Sequence, residues 1–234
     1  MTLETTDLRI HLAREVRTMV ALARRAVDEG AWSAPVPSCP GWTLRDLVAH
    51  VGEIERWVLH ALAHGDGDAP APRVPDDAGL AAWLADSAQA LLEALAVDAA
   101  THAWTIAPPR TVGFWIRRQA HEHAIHAWDA AAALGDVPAL DAELAADGID
   151  EIVGTMWPRQ LRLGRVEEPT AGLALVADGG GAWLLGSEAA ATLEGEPAAL
   201  ALALWHRIPA DDDRLRWSGD VAAGRAVLAL PLAP

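Results

Sequence analysis

The densest run of chemically capable side chains is Arg117-Arg118-Gln119-Ala120-His121-Glu122-His123-Ala124-Ile125-His126-Ala127-Trp128-Asp129. On a helix, at about 100° per residue, Glu122 and His126 stand one turn apart on the same face. Trp115, Gln119, Ala130 and Ala133 share that arc, so it is able to point into a bundle; His121 and His123 fall on other faces. A carboxylate and an imidazole so spaced can chelate one divalent ion if a third ligand comes from another helix. His50 is the natural third, on the flank of an apolar helix face beside Leu47 and Ile54. Two imidazoles and one carboxylate leave the fourth position of a tetrahedral zinc open, as catalytic sites do.

Spacing alone leaves blander readings standing. A Glu-x-x-x-His pair is common on solvated helix faces, and a lone histidine is more often bonded to a backbone carbonyl than to a metal. The order is not His-Glu-x-x-His, since His121 and His126 are five apart. His121 and His123 flank Glu122 and compete with His126 as ligands. His11, His60, His64 and His102 read as surface or loop residues. Asp129, one turn beyond His126, either orients a ligand imidazole or a nearby arginine, or faces solvent. Cys39 sits in a proline-flanked loop with no base near it in sequence, which speaks against a nucleophile.

The elements that must hold these residues are mostly helical. Leu8, Leu12, Val16, Met19, Val20, Ala23 and Val27 follow a three-to-four spacing, closed by Gly30. After the loop SAPVPSCPG, Thr43 reads as an N-cap with Asp46 three residues on, opening a helix with Leu44, Leu47, Val48, Val51, Ile54, Val58 and Leu62 on one face. HGDGDAPAPRVPDD ends it. A third helix is predicted over 77–97 and a fourth over 111–134, stopped by Gly135. Four helices of this length suggest an antiparallel bundle, whose sites form between facing helices. An amphipathic segment over 141–157 reads as a connector.

From 161 the texture changes. LALVA and AWLLG flank Asp178-Gly179-Gly180-Gly181 as a hairpin, 190–193 is another strand, Pro197 opens a short helix, and LRWSG precedes a last helix from Asp220. The expected class is mainly α, a four-helix bundle over 1–160 followed by a small α+β domain over 161–234.

Composition narrows the partners. The 234 residues carry a formal net charge of −15, with 33 acidic side chains against 18 basic ones, all arginine. Phosphate backbones and anionic membranes would repel such a surface, so neither nucleic acid nor membrane is an expected partner. No run approaches the roughly 18 apolar residues of a membrane span. The N-terminal sequence lacks the apolar core of a secretory signal. The single cysteine excludes an internal disulfide and fits a reducing, cytoplasmic setting. A monomer is the default expectation, since the exposed helix faces are well charged.

Two segments, VPSCPGWTLRDLVAHVGEIERW and RTVGFWIRRQAHEHAIHAWDA, resemble the mycothiol-dependent maleylpyruvate isomerase family. The pairing of Pro-Gly-Trp-Thr-x-x-Asp-Leu-x-x-His with His-Glu-x-x-x-His-x-Trp-Asp-Ala carries the likeness, and ALALWHRIP and LRWSGDVAAGRAVLA extend it to the C-terminal part. The resemblance implies a DinB-like bundle with a small α+β domain, zinc (or another divalent metal) as cofactor and mycothiol as thiol cosubstrate. It also implies His50, Glu122 and His126 as metal ligands and Arg207 as a catalytic arginine; it points to no particular residues for the thiol.

Zinc with an open position would stabilise a bound thiolate able to attack an electrophilic carbon. In an isomerase the thiolate adds to a cis double bond conjugated to a carbonyl, the resulting single bond rotates, and elimination gives the trans product; in an S-transferase the adduct is kept. Arg118, near the Glu122 face, and Arg207 are the candidates to bind a carboxylate on the small-molecule electrophile. Two other readings stay open. One is a hydrolase with metal-activated water and Glu53, one turn from His50, as base. The other is a non-catalytic metal-binding bundle.

Overall fold

The computed structural model describes residues 2–233, and the chain divides into two compact units, Glu4–Ala139 and a second formed mainly by the residues from Leu140 onward. The expected class holds, a helical bundle followed by a small α+β unit. The expected boundary was 160/161. The division falls at 139/140 because the segment read as a connector packs with the sheet-bearing part.

In the first unit, α1 (Thr5–Glu29) buries Leu8, Leu12, Val16, Met19, Ala23 and Ala26 and ends at Gly30, whose φ of 62° makes the left-handed stop. Val27, counted on that stripe, is exposed. Helix α2 (Leu44–His64) opens with a capping box: Thr43 accepts from the Asp46 amide and Asp46 accepts from the Thr43 amide, satisfying two donors that a helix start leaves open. Helix α3 (Asp77–Ala94) stops three residues short of the predicted end, and α4 (Val112–Ala133) falls within the predicted range.

Helix α1 packs on α4 and α3, and α2 packs on α3 and α4, so chain neighbours α1 and α2 face each other across the bundle. Met19, Leu44, Leu47, Leu80, Leu84 and Ala130 meet in the core, joined by Trp32 and Val36 from the loop after α1. One glycine sets a close approach: a Cβ at Gly52 would lie 2.2 Å from the Trp83 ring, so only glycine lets α2 and α3 meet with that indole between them. No helix among the described residues is long and apolar enough to cross a membrane.

In the second unit, α5 (Ala142–Glu151) runs through a π turn (Ile152–Met156) into α6 (Trp157–Arg162). Pro158 explains the widened turn, because its ring has no N–H and would clash with the carbonyl four residues back. Strands β1 (Gly172–Ala177), β2 (Ala182–Leu185), β3 (Ala189–Gly195) and β4 (Leu215–Gly219) form one sheet in the order β2-β1-β3-β4. The β1–β3 pair is parallel and the other two are antiparallel. Helices α7 (Pro197–Leu204) and α8 (Val221–Leu228) pack on β1 and β3, and α5 packs on α7.

Candidate metal centre

Helix α4 buries 17 of its 22 residues, and Arg118, Gln119, His121, Glu122, His123, His126 and Asp129 are among them. Burying a charge is costly unless it is paired and hydrogen-bonded, so the partners of these groups define the site. On the arc singled out from the sequence, His126 Nε2 lies 3.1 Å from Glu122 Oε1, and His50 Nε2 from α2 lies 3.8 Å from the same oxygen. One ligand atom from each of His50, Glu122 and His126 falls within 4.8 Å of the others. The two imidazoles meet edge-on, 5.2 Å between centroids, and Trp42 meets His50 edge-on at 5.1 Å. The His50 side chain is 32% exposed against 12% for Glu122 and 6% for His126, so the cluster opens on the His50 side.

The remaining atoms of the trio are held by neighbours. His126 Nδ1 donates to Asp129 Oδ2 at 3.1 Å, and Asp129 Oδ1 accepts from Ser38 Oγ at 2.5 Å. Asp129 is fully buried and orients the imidazole, resolving the choice that spacing left open. With Nδ1 carrying the hydrogen, Nε2 is the nitrogen turned to Glu122 and His50. Cys39, expected to have no base near it in sequence, has its Sγ 3.8 Å from Asp129 Oδ2.

Arg118, expected to face a substrate carboxylate, is buried, and its Nη2 donates to Glu122 Oε2 at 2.5 Å. Burial works against ionising Glu122, yet the Arg118 charge, the hydrogen bond from His126 and the nearby His50 imidazole hold its carboxyl well below the usual range. Burial likewise disfavours a charged His126, but its bonds to Asp129 and Glu122 raise the imidazole above its ordinary value. Both carboxylates therefore favour positive charge on the His126 imidazole.

A second buried network was missed from sequence. His123 Nδ1 donates to the Gln119 carbonyl and its Nε2 lies 2.9 Å from Glu55 Oε1. Glu55 Oε2 accepts from Ser87 Oγ, which accepts in turn from Arg56 Nη1. Together these groups cross-link α2, α3 and α4. The available signal was Glu55's place on the apolar arc of α2, four residues after Val51 and three before Val58. Gln119 adds one more observation: its Oε1 is buried with no hydrogen-bond partner among the described residues.

The other candidates are placed as follows. Glu53 is partly exposed on α2. His11, read as a surface residue, is buried, with its Nδ1 2.9 Å from Arg14 Nη2. His60 and His64 stack at 4.4 Å. Arg207 belongs to the second unit, where α7 ends with His206 in a left-handed turn, at φ 56°. Its Nη1 donates to the Trp205 carbonyl and its guanidinium lies 5.7 Å from that indole.

Comparison with known proteins bears on the family and the fold. Residues 12–131 match the family model of the mycothiol maleylpyruvate isomerase N-terminal domain, and residues 143–226 match that of the MDMPI C-terminal domain. The crystal structure of the mycothiol-dependent maleylpyruvate isomerase is similar at a TM-score of 0.68 and 15% identity, covering 94% of this chain and 97% of that one. A histidine-to-alanine mutant of the same name gives 0.66 at the same identity and coverage. At that identity the likeness is one of fold. No curated protein matches the chain in sequence. With one model spanning half of its length and a second continuing through the α+β unit, the chain belongs to the mycothiol maleylpyruvate isomerase family.

Proposed function

We propose that this chain is a mycothiol-dependent metalloenzyme in which His50, Glu122 and His126 hold a divalent ion, zinc before others. The convergence of three donor atoms from two helices within 4.8 Å carries the reading. Two imidazoles and a carboxylate fit zinc with one position left for a ligand. The orphaned Gln119 Oε1, one turn before Glu122, is the kind of buried acceptor that a bound donor would satisfy. When bound, zinc would stabilise a thiolate at neutral pH.

The chain's own groups do the positioning. Asp129 holds His126 in the tautomer that presents Nε2, and Arg118 fixes Glu122 from behind while keeping it ionised. Burial of Glu122 and His126 keeps bulk water from that side of the cluster. The substrate class is a small electrophile, and the two outcomes in view are cis–trans isomerisation of a maleylpyruvate-type substrate and S-transfer. The shared family and the likeness in fold to a mycothiol-dependent maleylpyruvate isomerase favour the isomerase.

Elemental analysis of the purified chain beside a His126→Ala variant tests the metal. About one zinc per chain, lost in the variant, is the expected result. A wild type that stays metal-free after zinc addition and dialysis overturns the reading. Free thiol is then titrated during turnover of maleylpyruvate with mycothiol: an isomerase leaves it constant, and a transferase consumes it in step with product.

A further inference from the structure

A groove of about 420 Å³ runs along α2 from the metal centre. Its floor is the helix face of His50, Glu53, Ile54, Trp57 and His60, and its far wall is the loop from Ala69 to Pro72. The wall is fastened in place. Trp57 Nε1 donates to the Gly67 carbonyl at 2.9 Å, and His60 Nε2 donates to Asp66 Oδ1 at 2.9 Å. Gly67 lies so close to Trp104 that a Cβ there would stand 2.6 Å from the ring. The volume is in the range that encloses most of a drug-sized ligand.

The polar groups along the groove are not equally available. Arg56 is committed to the Gly52 and Trp83 carbonyls, to Ser87 Oγ and to the face of Trp83, 3.6 Å away. His60 is committed to Asp66. Glu53 alone among these charged side chains makes no hydrogen bond or ion pair with the described residues. An ionised carboxylate only accepts. The groove therefore asks its occupant for hydroxyl or amine donors, and it repels a substrate carboxylate.

We infer that this groove holds the non-reacting body of the thiol cosubstrate, with hydroxyl or amine donors bound to Glu53 and apolar surface laid on Ile54, Trp57 and the proline wall. His50, the most exposed member of the cluster, joins the two places, so a thiol reaching the metal extends its body past His50 along α2. The inference rests on the thiol reading of the metal centre. It assigns Glu53 to substrate binding rather than to the role of a hydrolytic base.

Calorimetry on the zinc-loaded full chain tests it, with mycothiol, whose sugar hydroxyls are such donors, and with N-acetylcysteinamide, a neutral thiol with no sugar body. In Glu53→Ala, mycothiol binding is expected to weaken about tenfold, the effect of losing a hydrogen bond to a charged group. N-acetylcysteinamide binding, zinc content and thermal midpoint should stay at wild-type values. Equal loss for both thiols, or loss for neither, overturns the groove assignment while the metal centre stands. A wild-type chain that holds zinc and binds neither thiol overturns the thiol reading together with the groove.

Discussion

Helices α4 and α7 are both buried on nearly every side, and they are filled in opposite ways. Helix α7 buries six of its eight residues, all Ala or Leu, so tight packing is all it needs. Helix α4 buries arginine, glutamate, aspartate and three histidines, each of which must find a partner. Burial by itself distinguishes nothing here. Helix α4 carries charge inward at the cost of desolvation and depends on named partners, whereas α7 depends on shape alone.

The contrast can be broken at both ends. Glu55→Ala leaves His123 buried without its partner and is expected to cost about 3–5 kcal/mol in urea unfolding. Replacing Glu55 and His123 together by apolar residues of similar size should recover most of that loss; failure to recover it would show that the pair does more than satisfy itself. In α7, Leu200→Ala opens a cavity and should cost about 3 kcal/mol, with the same decrement whether or not zinc is present. The smallest effect is expected from Asp129→Asn, which keeps the shape but loosens the orientation of His126. Zinc affinity should fall about tenfold in chelator competition, and an unchanged affinity would remove Asp129 from the account of the site.

These effects separate what the sequence could reveal from what it could not. The Glu122–His126 arc was legible because both side chains lie on one helix with a fixed angular period. His50 was legible as a histidine at the edge of an apolar stripe. Asp129 was visible but undecided, since only the fold brings Ser38 and His126 to its two oxygens. The Glu55–His123 pair joins positions 68 apart in sequence, and no periodicity encodes which histidine meets which carboxylate across a bundle. Glu55 was overlooked for Glu53, the neighbour that sits nearer His50 by helical spacing. The unit boundary failed for a related reason: the pattern of Leu144, Ala145 and Ile149 marks a helix with a buried face, but not which core receives that face.

The hydrogen bond between Ser38 and Asp129 has a consequence in the language of amide exchange. The loop between α1 and α2 buries Trp32 and Val36, and Asp129, at its junction with α4, also holds His126. Opening that loop to solvent frees Asp129 and with it the orientation of the proposed ligand His126. An ion bound at His126 must therefore deepen the protection of the Val36, Cys39 and Trp42 amides, which are bonded within the same loop. Slowed exchange at those three amides would report occupancy of the proposed centre from a segment that supplies none of its three candidate ligands.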